Sequence, residues 1–134
     1  MNRNIKIAIV GLGQIGNYLY NELNSKKKDI EHKTGKKINI VAISAKNKNK
    51  KRKYKINNKI FYRNPLDIIK KNNIDILFEV IGAPGGISKK IVEKCLINKI
   101  HVITPNKALI SNHGDYLAKL AEQNQVNLEF EASV

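Results

Sequence analysis

Residues 5–19 read IKIAIVGLGQIGNYL, an apolar run followed by a G-x-G-x-x-G motif and then by a helical pattern. A strand before the glycines and a helix after them is the context in which this motif binds a dinucleotide. Gly11 permits a tight turn, Gly13 has no side chain to keep a pyrophosphate from the backbone, and Gly16 lets the helix lie close to the strand. The N–H groups at the start of that helix would face the phosphates. The predicted cofactor contacts in this loop are Gly11, Leu12, Gly13, Gln14, Ile15 and Gly16. The alternative is a glycine turn that binds no ligand.

Apolar periodicity divides the chain into alternating strands and helices. Strands are predicted at 5–10, 38–44, 74–80, 100–103 and 126–131, and helices at 14–24, 65–71, 88–98 and 115–123. Residues 25–37 are predicted to be the end of the first helix followed by an exposed loop, and loops or turns are predicted at 45–58, 82–86 and 104–107. We expect the Lys-rich segment 45–58 to be mobile. Strands that alternate with helices favour a parallel sheet with right-handed crossovers. The predicted fold class is therefore α/β, a Rossmann-like, doubly wound and mainly parallel sheet with helices on both faces, in one domain over residues 1–134.

The formal net charge of +14 is concentrated between residues 26 and 55, where only Asp29 and Glu31 oppose a run of lysines. Such a basic segment could follow the phosphate backbone of a nucleic acid. However, the sequence has no Trp, three Phe and five Tyr, so it offers few platforms on which bases could stack. Nearly all the cations are Lys, whereas Arg is preferred for base and bidentate phosphate recognition. We therefore expect a solvated lysine surface, and nucleic-acid binding is the less favoured interpretation.

Neither a membrane span nor a signal peptide is apparent in the sequence. The apolar runs are far shorter than a span requires, and Met1 lies directly before the first predicted strand. The single cysteine, Cys95, cannot form an internal disulfide and falls in an apolar helical pattern. It is predicted to be a core residue in a reducing compartment. These features predict a cytoplasmic protein without membrane association.

The end of the second predicted strand bears on the choice of cofactor. An NAD-selective site usually places Asp or Glu there to accept hydrogen bonds from the ribose hydroxyls. No acidic residue occurs between Ile38 and Leu66, and the strand ends instead in Ser44 followed by Lys46. A hydroxyl and a cation suit a 2′-phosphate, so we predict NADP(H) in preference to NAD(H). The alternative is that Lys46 is merely one of the solvated lysines.

The next two predicted strands also end in candidate residues. Small residues around Ile81 and Gly82 would let the ribose and phosphates of a cofactor pass close to the backbone, although a Pro-Gly turn explains them equally well. The fourth strand leads into Thr104-Pro105-Asn106-Lys107, where a lysine can reach a nicotinamide or a carbonyl substrate. The alternative is that Lys107 is merely one more exposed lysine. The candidate cofactor contacts are Ile81, Gly82, Thr104, Asn106 and Lys107.

Five stretches make the chain resemble the N-terminal, nucleotide-binding part of homoserine dehydrogenase. They are VGLGQIG (10–16), ISAK (43–46), EVIG (79–82), VITPNKALI (102–110) and FEASV (130–134). The resemblance spans the whole chain, and its fourth and fifth stretches are much more specific than the glycine loop. It implies NAD(P)-dependent interconversion of L-homoserine and L-aspartate 4-semialdehyde, a step toward threonine, methionine and isoleucine.

The resemblance also implies roles for individual residues. Lys107 corresponds to a lysine at the cofactor and active site, and the backbone carbonyls of Glu131 and Val134 would bind a monovalent cation, Na⁺ or K⁺. The substrate and dimerisation domain of the family is absent from the chain, so we expect no turnover by this polypeptide alone. Its partner would be a separate substrate-domain chain or further copies of itself. A non-catalytic NADP(H)-binding module is the alternative function.

Overall fold

The computed structural model describes residues 3–82 and 86–131. The strands are β1 (Arg3–Val10), β2 (Lys36–Ser44), β3 (Phe61–Tyr62), β4 (Ile76–Glu79), β5 (His101–Thr104) and β6 (Leu128–Phe130). The helices are α1 (Gln14–Ser25), α2 (Lys27–Thr34), α3 (Pro65–Lys71), α4 (Gly86–Ile97) and α5 (Lys107–Gln123), and a short 3₁₀ turn lies at Asn58–Ile60. The predicted turn at 82–86 falls mostly outside the described residues.

The six strands form one sheet in the order β3-β2-β1-β4-β5-β6, and every neighbouring pair is parallel. The chain builds outward from β1 to β3, then crosses back to β4 and builds outward on the other side. This reversal creates a crevice between β1 and β4 at the carboxyl ends of the strands, where ligands bind in doubly wound sheets. The predicted Rossmann-like, parallel α/β fold is confirmed.

Both faces of the sheet are covered by helices. On one face, Ile7 and Ile9 of β1 pack with Tyr20 of α1. On the other face, Leu77 of β4 and Val102 of β5 pack with residues of three helices, namely Ile68 of α3, Ile91 and Val92 of α4, and Leu117 of α5. Ile7 to Val10 are all at most 3% exposed, as expected for a central strand buried on both faces.

Cys95 of α4 is fully buried in this second cluster, which confirms its predicted core position. Among the described residues, no helix combines the length and the apolar composition that crossing a membrane requires.

Three elements differ from the sequence-based expectation. Residues 27–34 form the separate helix α2 although the end of the first helix and a loop were predicted there, because α2 buries no residue and so has no apolar period to reveal it. It is supported by the ion pair between Lys33 and Asp29 (3.2 Å) and ends at Gly35, whose φ is +74°. Strand β3 has only two residues, too few for a period of two to show. Helix α5 begins at Lys107 instead of Asp115, because Asn106 caps it there.

The Lys-rich segment 45–58 has no strand or regular helix before its last residue, as predicted, but it is fastened to the rest of the domain. The side chain of Asn17 bonds both backbone groups of Tyr54, at 2.9 Å each. The hydroxyl oxygen of Tyr20 accepts a hydrogen bond from the N–H of Asn57 (3.0 Å). The expectation of a mobile loop is therefore replaced by a segment held against α1.

Candidate dinucleotide site

Gly11 lies where the glycine loop touches the ends of two other strands. Its φ is +104°, a conformation that side chains rarely adopt, and its N–H donates to the carbonyl oxygen of Ser44 (2.8 Å). A Cβ at this position would lie 2.5 Å from the carbonyl oxygen of Val80. Only glycine therefore fits between β1 and the end of β4, which confirms the predicted tight turn.

Gly16 allows the first turn of α1 to approach the loop. A Cβ there would lie 1.9 Å from the carbonyl oxygen of Gly11 and 3.1 Å from Cγ2 of Val80. The predicted close approach is thus confirmed, although the nearest neighbour is the loop's own backbone and not the strand. Gly11 and Gly16 together allow the close contacts among the loop, the first turn of α1 and the segment after β4.

Gly13 differs from both, because nothing lies within 4 Å of the Cβ position. It is the N-cap of α1, no side chain caps the helix there, and the first turn contains no acidic residue. The first N–H groups of α1, including those of Gln14 and Ile15, therefore point out of a helix end that carries positive partial charge. Backbone donors beside an open space are what a phosphate group requires.

A cavity of about 400 Å³ opens from this loop along the ends of β1 and β2. Six of the predicted cofactor residues line it: Gly11, Leu12, Gly13, Ser44, Lys46 and Ile81. Gln14 lines a neighbouring groove, of about 340 Å³, between α1 and residues 50–54. The structure thus brings the glycine loop, the end of β2 and the segment after β4 around one space.

Four cationic side chains line this cavity, from Lys46, Lys50, Arg52 and Arg63, and its described lining contains no carboxylate. Lys46 was predicted from the sequence, whereas the other three were missed. Arg63 comes directly after β3, and that strand was too short to be recognised, so nothing in the sequence placed its side chain beside Ser44. Lys50 and Arg52 lie in the Lys-rich segment, where composition gives no sign of which cations face the cavity.

Ser44 acts at this site through buried contacts. It is 1% exposed, and its hydroxyl donates to the carbonyl oxygen of Arg63 (3.5 Å), while its own carbonyl accepts from Gly11. These bonds tie the end of β2 both to the glycine loop and to the segment that carries Arg63.

The remaining predicted residues lie farther along the same edge of the sheet, outside the lining of this cavity. Thr104 is fully buried at the end of β5, and its hydroxyl accepts a hydrogen bond from the N–H of Asn106 (3.0 Å). The side-chain oxygen of Asn106 accepts from the N–H of Leu109 (3.0 Å) and so caps α5. Lys107, the first residue of that helix, is exposed, as is Gly82.

The comparison with known families decides the relationship. The model described as the NAD-binding domain of homoserine dehydrogenase matches residues 11–131, from the glycine loop to the end of the described chain. The chain belongs to the homoserine dehydrogenase family. It corresponds to the NAD(P)-binding domain of that family, and the resemblance noted in the sequence is confirmed.

Homoserine dehydrogenase of Neisseria gonorrhoeae is 29% identical over 130 residues, which are 97% of this chain and 29% of the relative. That of Pseudomonas aeruginosa is 32% identical over 133 residues, again 97% of this chain and 29% of the relative. The crystal structure of S. aureus homoserine dehydrogenase at pH 7.5 superposes with a TM-score of 0.89 at 34% identity, covering 98% of this chain and 34% of that chain. The chain therefore spans about three-tenths of the length of the curated homoserine dehydrogenases it matches.

Glu131 and Val134, the residues expected to bind a cation by resemblance to homoserine dehydrogenase, come after β6 in the chain. The N–H of Glu131 donates to the carbonyl oxygen of Thr104 (3.0 Å), which places Glu131 beside the end of β5. Val134 lies outside the described residues. Within the described ranges, no group of three or more His, Cys, Asp or Glu side chains is arranged to hold a metal ion.

Proposed function

We propose that the cavity at the ends of β1 and β2 binds NADP(H) in preference to NAD(H). The observation that carries the proposal is the charge of its lining, which contains Lys46, Lys50, Arg52 and Arg63 and no carboxylate among the described residues. A 2′-phosphate would gain charge-assisted hydrogen bonds from Lys46, Lys50 and Arg63, whereas NAD(H) offers only ribose hydroxyls and finds no acidic acceptor. Arg52 would contribute mainly its charge, because its guanidinium already donates to four backbone carbonyls.

The residues present fit the remainder of a dinucleotide as well. The open space at Gly13 and the uncapped N–H groups of Gln14 and Ile15 would receive the pyrophosphate. Ile81 lines the same cavity from the segment after β4, and Gly82, Thr104, Asn106 and Lys107 continue the same sheet edge. When bound, the cofactor supplies or accepts a hydride. In that setting the exposed ammonium of Lys107 would donate a hydrogen bond, and then a proton, to the oxygen of a carbonyl substrate.

For the whole protein we propose the reaction of its relatives, the interconversion of L-homoserine and L-aspartate 4-semialdehyde. The support is membership in the family, and the chain spans 29% of the curated relatives. We therefore propose that the 134-residue chain alone binds the cofactor without turning over substrate. The groups that bind and convert the substrate would come from outside these 134 residues. A cytoplasmic location and a monovalent cation at the carbonyls of Glu131 and Val134 belong to the same proposal.

The test is calorimetric titration of the chain with NADPH and with NADH. We expect NADPH to bind more tightly, and Lys46→Glu or Arg63→Glu to weaken NADPH by about 10- to 100-fold, the range that loss of a hydrogen bond to a charged group produces. NADH affinity should change little. Lys28→Glu is the matched control, because it makes the same charge change at an exposed position of α2 outside the cavity.

Two results would contradict the NADP(H) proposal. One is an unchanged ratio of NADPH to NADH affinity in both cavity variants. The other is salt-sensitive retention on duplex DNA without any stabilisation by NADPH, which would favour the nucleic-acid interpretation.

A further inference from the structure

One buried carboxylate, which takes part in none of the roles described above, lies below the ends of β4 and β5. Glu79, the last residue of β4, is fully buried. Removing a charged carboxylate from water is costly unless hydrogen bonds compensate for the lost hydration. The described residues offer it no ion pair, so its environment must stabilise it in another way.

Three donors from three different elements surround the carboxylate. Its Oε2 accepts hydrogen bonds from the N–H of Ile81 (2.9 Å) and from the hydroxyl of Ser88 in the first turn of α4 (3.2 Å). Its Oε1 accepts from the hydroxyl of Thr104 at the end of β5 (2.7 Å). An ionised carboxylate only accepts hydrogen bonds, so all three contacts match its chemistry.

The network continues from Thr104 into the turn that carries Lys107. Because the Thr104 hydroxyl donates to Glu79, its lone pairs are free to accept the N–H of Asn106 (3.0 Å). The side chain of Asn106 then caps α5 through Leu109. Glu79 thereby fixes both the backbone that leaves β4 and the turn between β5 and α5.

The turn between β5 and α5 lies outside the lining of the cationic cavity, whereas the backbone that leaves β4 borders it, because Ile81 is one of its lining residues. In a doubly wound sheet the ribose beside the second strand belongs to the adenosine half, so the other mononucleotide extends over the strands beyond the reversal. Here those strands are β4 and β5, whose ends Glu79 joins.

We propose that Glu79 is a positioning residue for the nicotinamide half of the cofactor, acting through Thr104 and the turn that leads into α5. The inference rests on the proposed NADP(H) site and adds to it a residue that need not touch the ligand. It requires that loss of this network weaken the binding of the nicotinamide half and leave the adenosine half unaffected.

The test compares NADPH with adenosine 2′,5′-bisphosphate, which contains the adenosine half and the 2′-phosphate alone. In Glu79→Gln, an NH₂ group replaces one of the two carboxylate oxygens. One of the three hydrogen-bond donors then faces another donor instead of an acceptor. We expect NADPH affinity to fall about tenfold, equivalent to the loss of one to two hydrogen bonds, while affinity for the bisphosphate stays within about twofold. A merely structural role would lower both affinities together.

Thr104 supplies a second pair of variants if Glu79→Gln does not fold. Thr104→Val removes the hydroxyl that links Glu79 to Asn106 and should reproduce the selective loss of NADPH affinity. Thr104→Ser keeps the hydroxyl and should bind both ligands as the unsubstituted chain does. Ile100→Val is the control for stability, because Ile100 is 4% exposed just before β5, at the opposite edge of the sheet from the ligand crevice.

The outcomes separate this proposal from the one on which it rests. If the unsubstituted chain binds neither NADPH nor the bisphosphate, the proposed cofactor site is wrong, and the proposed role of Glu79 is wrong as well. If both ligands bind and the Glu79 and Thr104 variants change neither affinity, or change both equally, only the positioning role is overturned.

Discussion

The Nε of Arg52 donates a 3.0 Å hydrogen bond to the carbonyl oxygen of Leu12, 40 residues earlier in the chain. The same guanidinium donates to the carbonyl oxygens of Asn47 (2.6 Å), Lys48 (3.2 Å) and Lys50 (3.2 Å). One side chain thus closes the basic segment on itself and fastens it to the glycine loop. This use requires arginine, because a lysine ammonium has only three N–H donors for the four carbonyl oxygens.

Arg52→Lys should therefore loosen the basic segment although the charge is kept. We expect the free energy of unfolding to fall by about 1–2 kcal/mol, the sum of a few net hydrogen-bond contributions. Urea denaturation measures this loss, and faster hydrogen exchange at amides 47–54 locates it. Lys51→Ala, at an exposed neighbouring position, is the control and should change neither. An Arg52→Lys protein with unaltered exchange in this segment would show that charge alone matters.

The three glycines of the loop should respond differently to substitution. Gly11→Ala and Gly16→Ala force a Cβ to within 2.5 Å and 1.9 Å of backbone oxygens, so each should cost more than about 2 kcal/mol of stability. A Cβ at Gly13 has nothing within 4 Å, so Gly13→Val should stay within about 1 kcal/mol of the unsubstituted chain. Gly13→Val should nevertheless abolish NADPH binding by filling the phosphate space.

Thermal unfolding together with calorimetric titration checks these glycine variants. Tight NADPH binding by a folded Gly13→Val protein would rule out the pyrophosphate position that we propose. Equal stability losses in all three variants would contradict the steric account of the loop.

Burial raises the pKa of the Cys95 thiol to about 12. In the unfolded chain the thiol ionises near its ordinary value of 9.0, so above that pH the unfolded state loses a proton that the native state keeps. The stability contributed by this protonated thiol is complete below pH 9 and declines as pH rises toward 12. Relative to Cys95→Ala, the free energy of unfolding should fall by about 1.4 kcal/mol at pH 10. Denaturant titrations of both proteins at several pH values measure this difference, and parallel pH profiles would refute it.

The hydroxyl of Tyr116 donates to Oε2 of Glu93 (2.5 Å), and this hydrogen bond raises the pKa of the phenol. Since the carboxylate disfavours a phenolate beside it, Glu93→Gln should shift the titration of Tyr116 to lower pH. Ultraviolet absorbance of the phenolate follows the titration, and subtracting the curve of Tyr116→Phe isolates this residue among the five tyrosines. An identical difference curve with and without Glu93 would count against the contact.

Sequence patterns predicted the architecture well where residues bury an apolar face. The strand at residues 5–10 and the helix over 65–71 follow from continuous or periodic apolar residues, and both occur. Helix α2 escaped prediction because it buries no residue, so no apolar period marks it, and its pair of Asp29 and Lys33 lies on the solvated surface. Its end could have been recognised from Gly35, whose left-handed conformation is typical of a helix terminus.

The candidate site was predicted only where a motif marks it. Gly11, Leu12, Gly13 and Lys46 line the cavity, and their places follow from the strand ends. Arg63 and Arg52 were missed because their roles depend on side-chain contacts across the fold, which have no periodicity in the sequence. Asn17 offers one usable signal, since an amide on the buried side of an amphipathic helix requires hydrogen-bond partners, here the backbone of Tyr54.

The contacts that fix the glycine loop also bear on the energetics of ligand association. The N–H of Gly11 is already bonded to Ser44 and the carbonyl of Leu12 to Arg52, so the loop has few conformations to lose when an anion arrives. Preorganisation of this kind reduces the entropic cost of association. The positive field of the surrounding lysines attracts an anionic dinucleotide from solution. Most of the conformational entropy lost on binding is then that of the flexible ligand, because hydrogen bonds already fix the backbone of the loop.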